Sequence, residues 1–128
     1  MQKKKVLDDH DIQDILQICK MGIWRIEFSE TEAPKFYADS VMNQLIGTPE
    51  DMDPEERFVF HRAHIHPEDI EFFLKYADKL EEEQTEIVYR YIHPEKGEMY
   101  VRCSGKKDDS VKEYNCVKGF HQDISDTM

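Results

Sequence analysis

The sequence predicts an α+β domain: a five-stranded antiparallel sheet with helices packed on one face and an N-terminal amphipathic helix beside it. Three observations carry this. A chain of 128 residues suits a single domain. Its apolar periodicity is helical over residues 8 to 20, two-residue over 22 to 28, helical again in the middle third and two-residue over the last third. Strands, then helices, then strands, without regular alternation, argue for an antiparallel sheet with segregated helices and against a parallel one.

The first helix spans residues 8 to 20, with Ile12, Ile15, Leu16 and Cys19 on one stripe and Asp8, Asp9 and Asp11 at its positive end. Gly22 suits its exit. From Gly22 to Phe28 the period becomes two, with Trp24, Ile26 and Phe28 on one face. After the polar turn from Ser29 to Pro34, Lys35-Phe36-Tyr37-Ala38 forms a short second strand. Asp39-Ser40 caps a brief helix closed by Gly47. Asp53-Pro54-Glu55-Glu56 starts another, with Phe58, Val59 and Arg62 on one side. His66-Pro67-Glu68-Asp69 starts a third, whose stripe Ile70, Phe73, Leu74, Ala77 runs to about Glu82.

Three strands close the chain, over residues 86 to 92, 99 to 104 and 113 to 122, separated by the turns at 93 to 97 and 106 to 110. Ile87, Tyr89 and Tyr91 alternate with Val88, Arg90 and Ile92, so both sheet faces are partly apolar. One face covers the middle helices. The other needs a second cover, for which the stripe Ile12, Ile15, Leu16, Cys19 or a partner copy is available, and this makes a homodimer the expected assembly.

Charge narrows the function. Seventeen Lys and Arg against 28 Asp and Glu leave −11, a field that repels phosphate backbones and anionic lipid, so neither nucleic acid nor direct membrane contact is expected. No apolar run reaches membrane-spanning length, and Asp8-Asp9-His10-Asp11 interrupts any signal sequence after Lys3-Lys4-Lys5. Cys19, Cys103 and Cys116 are odd in number and widely spaced, which fits buried free thiols in a cytoplasmic protein.

Several segments, in order, resemble a PAS sensory domain of the bacterial PAS/PAC type, in the fold-3-like subgroup. They are Gly22-Ile23-Trp24, His66-Pro67-Glu68-Asp69, Tyr89-Arg90, Gly97, Tyr100-Val101 and Gly119-Phe120-His121-Gln122-Asp123-Ile124-Ser125. Val88 departs from the family's usual glutamate, Met99-Tyr100 from Arg-Trp, and Ser125 from threonine. The resemblance divides the chain into a flanking helix over 1–20, a sensory domain over 21–126 and the start of a truncated output linker at 127–128. It implies a module that holds a small ligand or a partner between sheet and helices and relays a shift to a downstream diguanylate cyclase or histidine kinase. Asp123 and Ser125 are the implied relay, Asp123 capping amides and pairing with a nearby cation. A flavin photosensor of this family needs a cysteine that Ser40-Val41-Met42-Asn43-Gln44-Leu45 lacks, so flavin–cysteine photochemistry is not expected.

Candidate pocket residues are Trp24, Ile26, Tyr37, Leu45, Phe73, Tyr89, Tyr91, Val101 and Val117, aromatic and apolar groups with a few hydroxyls, as small-molecule sites use. The same residues also suit a filled core. His61, His64 and His66 are the densest group of metal-ligand types, yet their spacing lacks the tight pattern of structural sites, so metal and haem are not expected. The cofactor stays unassigned. Phosphate loops, nucleophile elbows and zinc-protease spacings do not occur in the sequence, and no catalytic residue is assigned. Two alternatives stand beside the sensor: a ligand-free interaction module, and a small cone-shaped enzyme whose sign would be His61 or His121 deep in a pocket with a carboxylate in reach.

Overall fold

The structure, a computed structural model, describes residues 6–80, 82–113 and 115–128. The first five residues of the flanking segment, with Lys3-Lys4-Lys5, lie outside the described residues. The elements run α1 (Asp9–Ile18), β1 (Met21–Phe28), β2 (Lys35–Ala38), α2 (Ser40–Ile46), α3 (Pro54–Ala63), α4 (Ile70–Lys79), β3 (Thr85–His93), β4 (Gly97–Lys107) and β5 (Asn115–Asp123), followed by a 3-10 turn at Ser125–Thr127. The strands form one antiparallel sheet in the order β2-β1-β5-β4-β3.

Helix starts follow their caps. Asp8 accepts from the Asp11 amide in a reciprocal capping box, Asp39 accepts from Met42, and Asp53 accepts from Glu55 and Glu56 ahead of Pro54. Asp69 precedes α4 without capping it, because its carboxylate is taken by Arg90. Gly47 ends α2 in the left-handed region at φ 83°. Gly22 does not end α1. It lies inside β1, and the left-handed residue at the α1 exit is Lys20, φ 56°. Gly22 is needed instead for packing: a Cβ there would sit 2.4 Å from the Met42 Cα, so α2 rests directly on the β1 backbone.

Buried side chains of β1, β3, β4 and β5 meet α2, α3 and α4 in one core containing Trp24, Phe36, Met42, Ile46, Tyr91 and Val101. β2 has only four residues, but Phe36 is almost fully buried, a contribution of about 2–3 kcal/mol that suits so short an edge strand. On α3 the inward residues are Arg57 and His61, and Val59 points to solvent, contrary to the expected face. α4 stops at Lys79 and a turn carries the chain past Glu82.

α1 buries none of its side chains. Gln13 bonds Asp39 at the start of α2, and Ile23, Tyr37 and Val88 stay exposed. The stripe Ile12, Ile15, Leu16, Cys19 therefore does not cover the outer sheet face within one chain. Cys19 is exposed, contrary to the expected buried thiol, whereas Cys103 and Cys116 are buried and unpaired. No helix among the described residues is long and apolar enough to cross a membrane.

Candidate functional site

The floor of the site is shaped by two glycines paired across β4 and β5, Gly105 and Gly119. A Cβ at Gly119 would lie 2.0 Å from the Ser104 carbonyl and 2.8 Å from the Trp24 ring, and one at Gly105 would lie 2.9 Å from that ring. The glycines thus leave a trough in which the Trp24 indole lies. The roof comes from α3 and α4. Arg57 sets the rotation of α3 by donating to the carbonyls of Phe36 (3.0 Å), Pro49 (3.2 Å) and Glu50 (3.2 Å). His61, one helical turn later, is thereby aimed at the sheet.

Between floor and roof lies a cavity of about 320 Å³. Trp24, Ile26, Phe36, Val117 and His121 line it from the sheet, and Phe58, His61, Arg62, Phe73 and Leu80 from the helices. That volume falls at the lower end of the range for small-molecule sites.

A hydrogen-bonded chain of three side chains crosses the core beside it. The Tyr89 hydroxyl lies 2.8 Å from the His61 Nε2 and 2.6 Å from the His121 Nε2, and all three residues are buried. Burial holds His61 well below the ordinary imidazole value, with the His121 ring and the Arg62 guanidinium also opposing a positive charge there, and pushes His121 down to about 3. Tyr89 is driven upward, mainly by burial. All three are therefore neutral, and Tyr89 donates its one proton to one imidazole while accepting from the other. It follows that one Nδ1 is an N–H and the other a bare acceptor. Both are buried without a partner, as are the Trp24 Nε1 and the Arg62 Nε.

Of the nine expected pocket residues, Trp24, Ile26, Phe73 and Val117 line the cavity. Tyr89 stands behind it through His61 and His121. Tyr91, Val101 and Leu45 are core residues away from the cavity wall, with the Tyr91 hydroxyl donating to the Ile46 carbonyl at 2.6 Å. Tyr37 is a correction: β2 turns it to the outer face, where it is exposed. Among the cavity-lining residues absent from the expected set are Arg62, placed on the helix stripe only, and His121, named only as the sign of an enzyme. A signal for His121 existed, since it shares the inward face of β5 with Val117 and Gly119 at a spacing of two. Both histidines are deep, but their partner is a phenol and not a carboxylate.

His61, His64 and His66 do not converge. His64 turns to the Phe60 carbonyl at 2.7 Å and stacks on Phe60, and the His66 Nδ1 accepts from the Glu68 amide. No group of three His, Cys, Asp or Glu among the described residues could hold a metal ion. Arg90, where Val88 removes the family's usual partner, is held instead by Asp69 at 2.8 Å and Glu68 at 3.1 Å. This ion pair ties the α4 start to β3.

At the far end of β5, the Asp123 carboxylate accepts from the Ser125 amide at 3.0 Å and the Ser125 hydroxyl accepts from the Tyr100 amide at 3.1 Å. The sequence reading names no particular cation for Asp123; the lysine near this strand end, Lys20, bonds Asp126 at 2.6 Å. The Asp123 amide donates to the Lys20 carbonyl, and the Gln122 side chain donates to the Cys19 carbonyl. The exits of α1 and β5 are thus tied together.

A family model described as the PAS fold matches residues 35–121. No curated protein matches the chain in sequence. Among solved structures, the N-terminal domain of a diguanylate cyclase with PAS/PAC sensor from Marinobacter aquaeolei is 27% identical with a TM-score of 0.63, covering 84% of this chain and 97% of that one. A sensory box histidine kinase/response regulator from Burkholderia thailandensis is 17% identical with a TM-score of 0.66, covering 91% and 86%. A domain of a putative light and redox sensing histidine kinase from Haloarcula marismortui is 20% identical with a TM-score of 0.65, covering 91% and 99%. The last two likenesses concern the fold alone. With the five-stranded sheet and its helical cover agreeing with the matched segment, the chain belongs to the PAS fold family.

Proposed function

We propose that this domain is a sensor in a signalling protein, in which a small molecule occupying the cavity under α3 and α4 alters the end of β5 and so the output of a downstream diguanylate cyclase or histidine kinase. The carrying observation is the position of His121. It lines the cavity, bonds Tyr89 and stands two residues before Asp123, whose carboxylate and backbone hold the β5 exit. A ligand that favours one arrangement of this strand end shifts the population by the difference in its affinities for the two arrangements. The Marinobacter domain precedes a cyclase by its name, which supports that kind of output.

The domain acts as a homodimer in this reading, with the exposed isoleucines of α1 as the contact. Buried unpaired Cys103 and Cys116 accord with a reducing compartment, so the cytoplasm is its proposed location.

Native mass spectrometry of the purified domain, beside the variant Ala77→Phe, tests the ligand claim. Ala77 lines the cavity, and a phenyl group there fills much of it. The expected result is a bound small-molecule mass on the natural protein that Ala77→Phe loses while keeping its circular dichroism spectrum. A bound mass retained by the filled variant would place the ligand elsewhere and sink the reading.

A further inference from the structure

Four buried polar side-chain atoms, all on residues that line the cavity, lack partners: the Trp24 Nε1, the Arg62 Nε, and the Nδ1 atoms of His61 and His121. Trp24, His61 and His121 are each more than nine-tenths buried. The Trp24 and Arg62 atoms are donors, and the proton count on Tyr89 makes one of the two Nδ1 atoms a donor as well. Three unmet donors against one unmet acceptor is an imbalance, and each unmet buried group costs about 1–3 kcal/mol. A complementary occupant brings acceptor oxygens.

The charge of the occupant follows from Arg62. Its guanidinium lies over the Phe58 and Phe73 rings at 4.7 and 5.0 Å. No carboxylate among the described residues is within ion-pair distance of it. Asp78, exposed on the cavity lining, attracts it without pairing. A half-buried cation held only by ring faces is a strong site for an anionic oxygen, and guanidinium matches carboxylate in shape and charge. Ile26, Phe28, Phe36, Leu80 and Val117 make the remainder of the lining apolar and rich in rings. At about 30 Å³ per water, the 320 Å³ cavity holds a molecule of roughly ten to fifteen non-hydrogen atoms.

We infer that the ligand is a small monocarboxylate with an aromatic body, its carboxylate on Arg62 and its ring between Phe73 and the Trp24 floor. This rests on the ligand-binding reading above and specifies its chemistry. Asp78 opposes such a ligand at the mouth, so it lowers the affinity and acts as a selectivity element.

Trp24 is the sole tryptophan and lines the cavity, so its fluorescence reports occupancy. Three compounds of one shape, 4-phenylbutyrate, 4-phenylbutanamide and butylbenzene, separate charge, acceptor and apolar body. The expected result is that the carboxylate binds at least tenfold tighter than the amide, that Arg62→Met abolishes this preference while Arg62→Lys keeps part of it, and that Asp78→Asn tightens the carboxylate severalfold. Equal binding of carboxylate and amide, or a preference that survives Arg62→Met, overturns the inference. Binding of butylbenzene alone overturns it too, yet leaves the cavity as a ligand site. Silence from all three compounds removes both readings.

Discussion

His121 has a neutral imidazole because its surroundings contain one phenolic hydroxyl and rings, with no carboxylate to reward a positive charge. Its value of about 3, and the lowered value of His61, make stability depend on pH in a defined direction. The unfolded chain takes up protons at these residues as pH falls through about 6.5, whereas folded His121 stays neutral until about 3. Between those limits the unfolded state binds more protons, so stability falls as pH falls, by at most about 1.4 kcal/mol per pH unit for each histidine. Thermal melts at pH 7 and pH 5 check this, because most carboxylates remain ionised at both. The natural protein is expected to lose more Tm than His121→Gln over that interval. Equal losses would assign the effect to other groups. The sequence showed Trp24, Ile26, Phe73 and Val117 as inward residues through their periodicity. It did not show Arg57 and His61 as inward, since charged and titratable side chains read as surface, and a buried Arg57 depends on carbonyls supplied by β2 and by the loop before α3.

Helices α2 and α3 begin where Asp39 and Asp53 say they should, as capping is local chemistry that a sequence carries in full. Strand lengths were less legible: β4 extends to Lys107, beyond the expected Ser104, because its partners on both sides supply the register. Gly22 reads locally as a helix exit because its need lies in contact with Met42 of α2, far along the chain, which no local pattern reveals. The glycines differ in kind, and substitution separates them. Gly119→Ala forces a Cβ onto the Ser104 carbonyl and the Trp24 ring, so a loss above about 3 kcal/mol is expected in urea unfolding. Gly97→Ala meets nothing within 4 Å but keeps φ at 81°, so the loss is about 1 kcal/mol, from backbone conformation alone. Similar losses at both positions would contradict the trough as the reason for Gly119.

The whole molecule presents an apolar α1 and a partly apolar outer sheet face, with Ile12, Ile15, Ile18, Ile23 and Tyr37 exposed. As isolated residues these are ordinary, but as one helix stripe and one sheet face they fit the proposed dimer. Ile15→Glu with Ile18→Glu is expected to give a monomer in sedimentation velocity, and salt to strengthen the natural dimer, since each chain carries −11. A natural protein that sediments as a monomer at millimolar concentration would remove the dimer from the proposal.

The join between β1 and β5 sets how the domain yields to force. The chain enters at Met21 beside the point where it leaves, opposite Gln122, and the two strands run in opposite directions. A load applied there falls first on the ties of Cys19 and Lys20 to Gln122, Asp123 and Asp126, then on the Met21–Gln122 pair and on each rung in turn, as in opening a zip. Such a sheet gives way one rung at a time at low tension, where a sheet gripped at opposite ends would resist as a block.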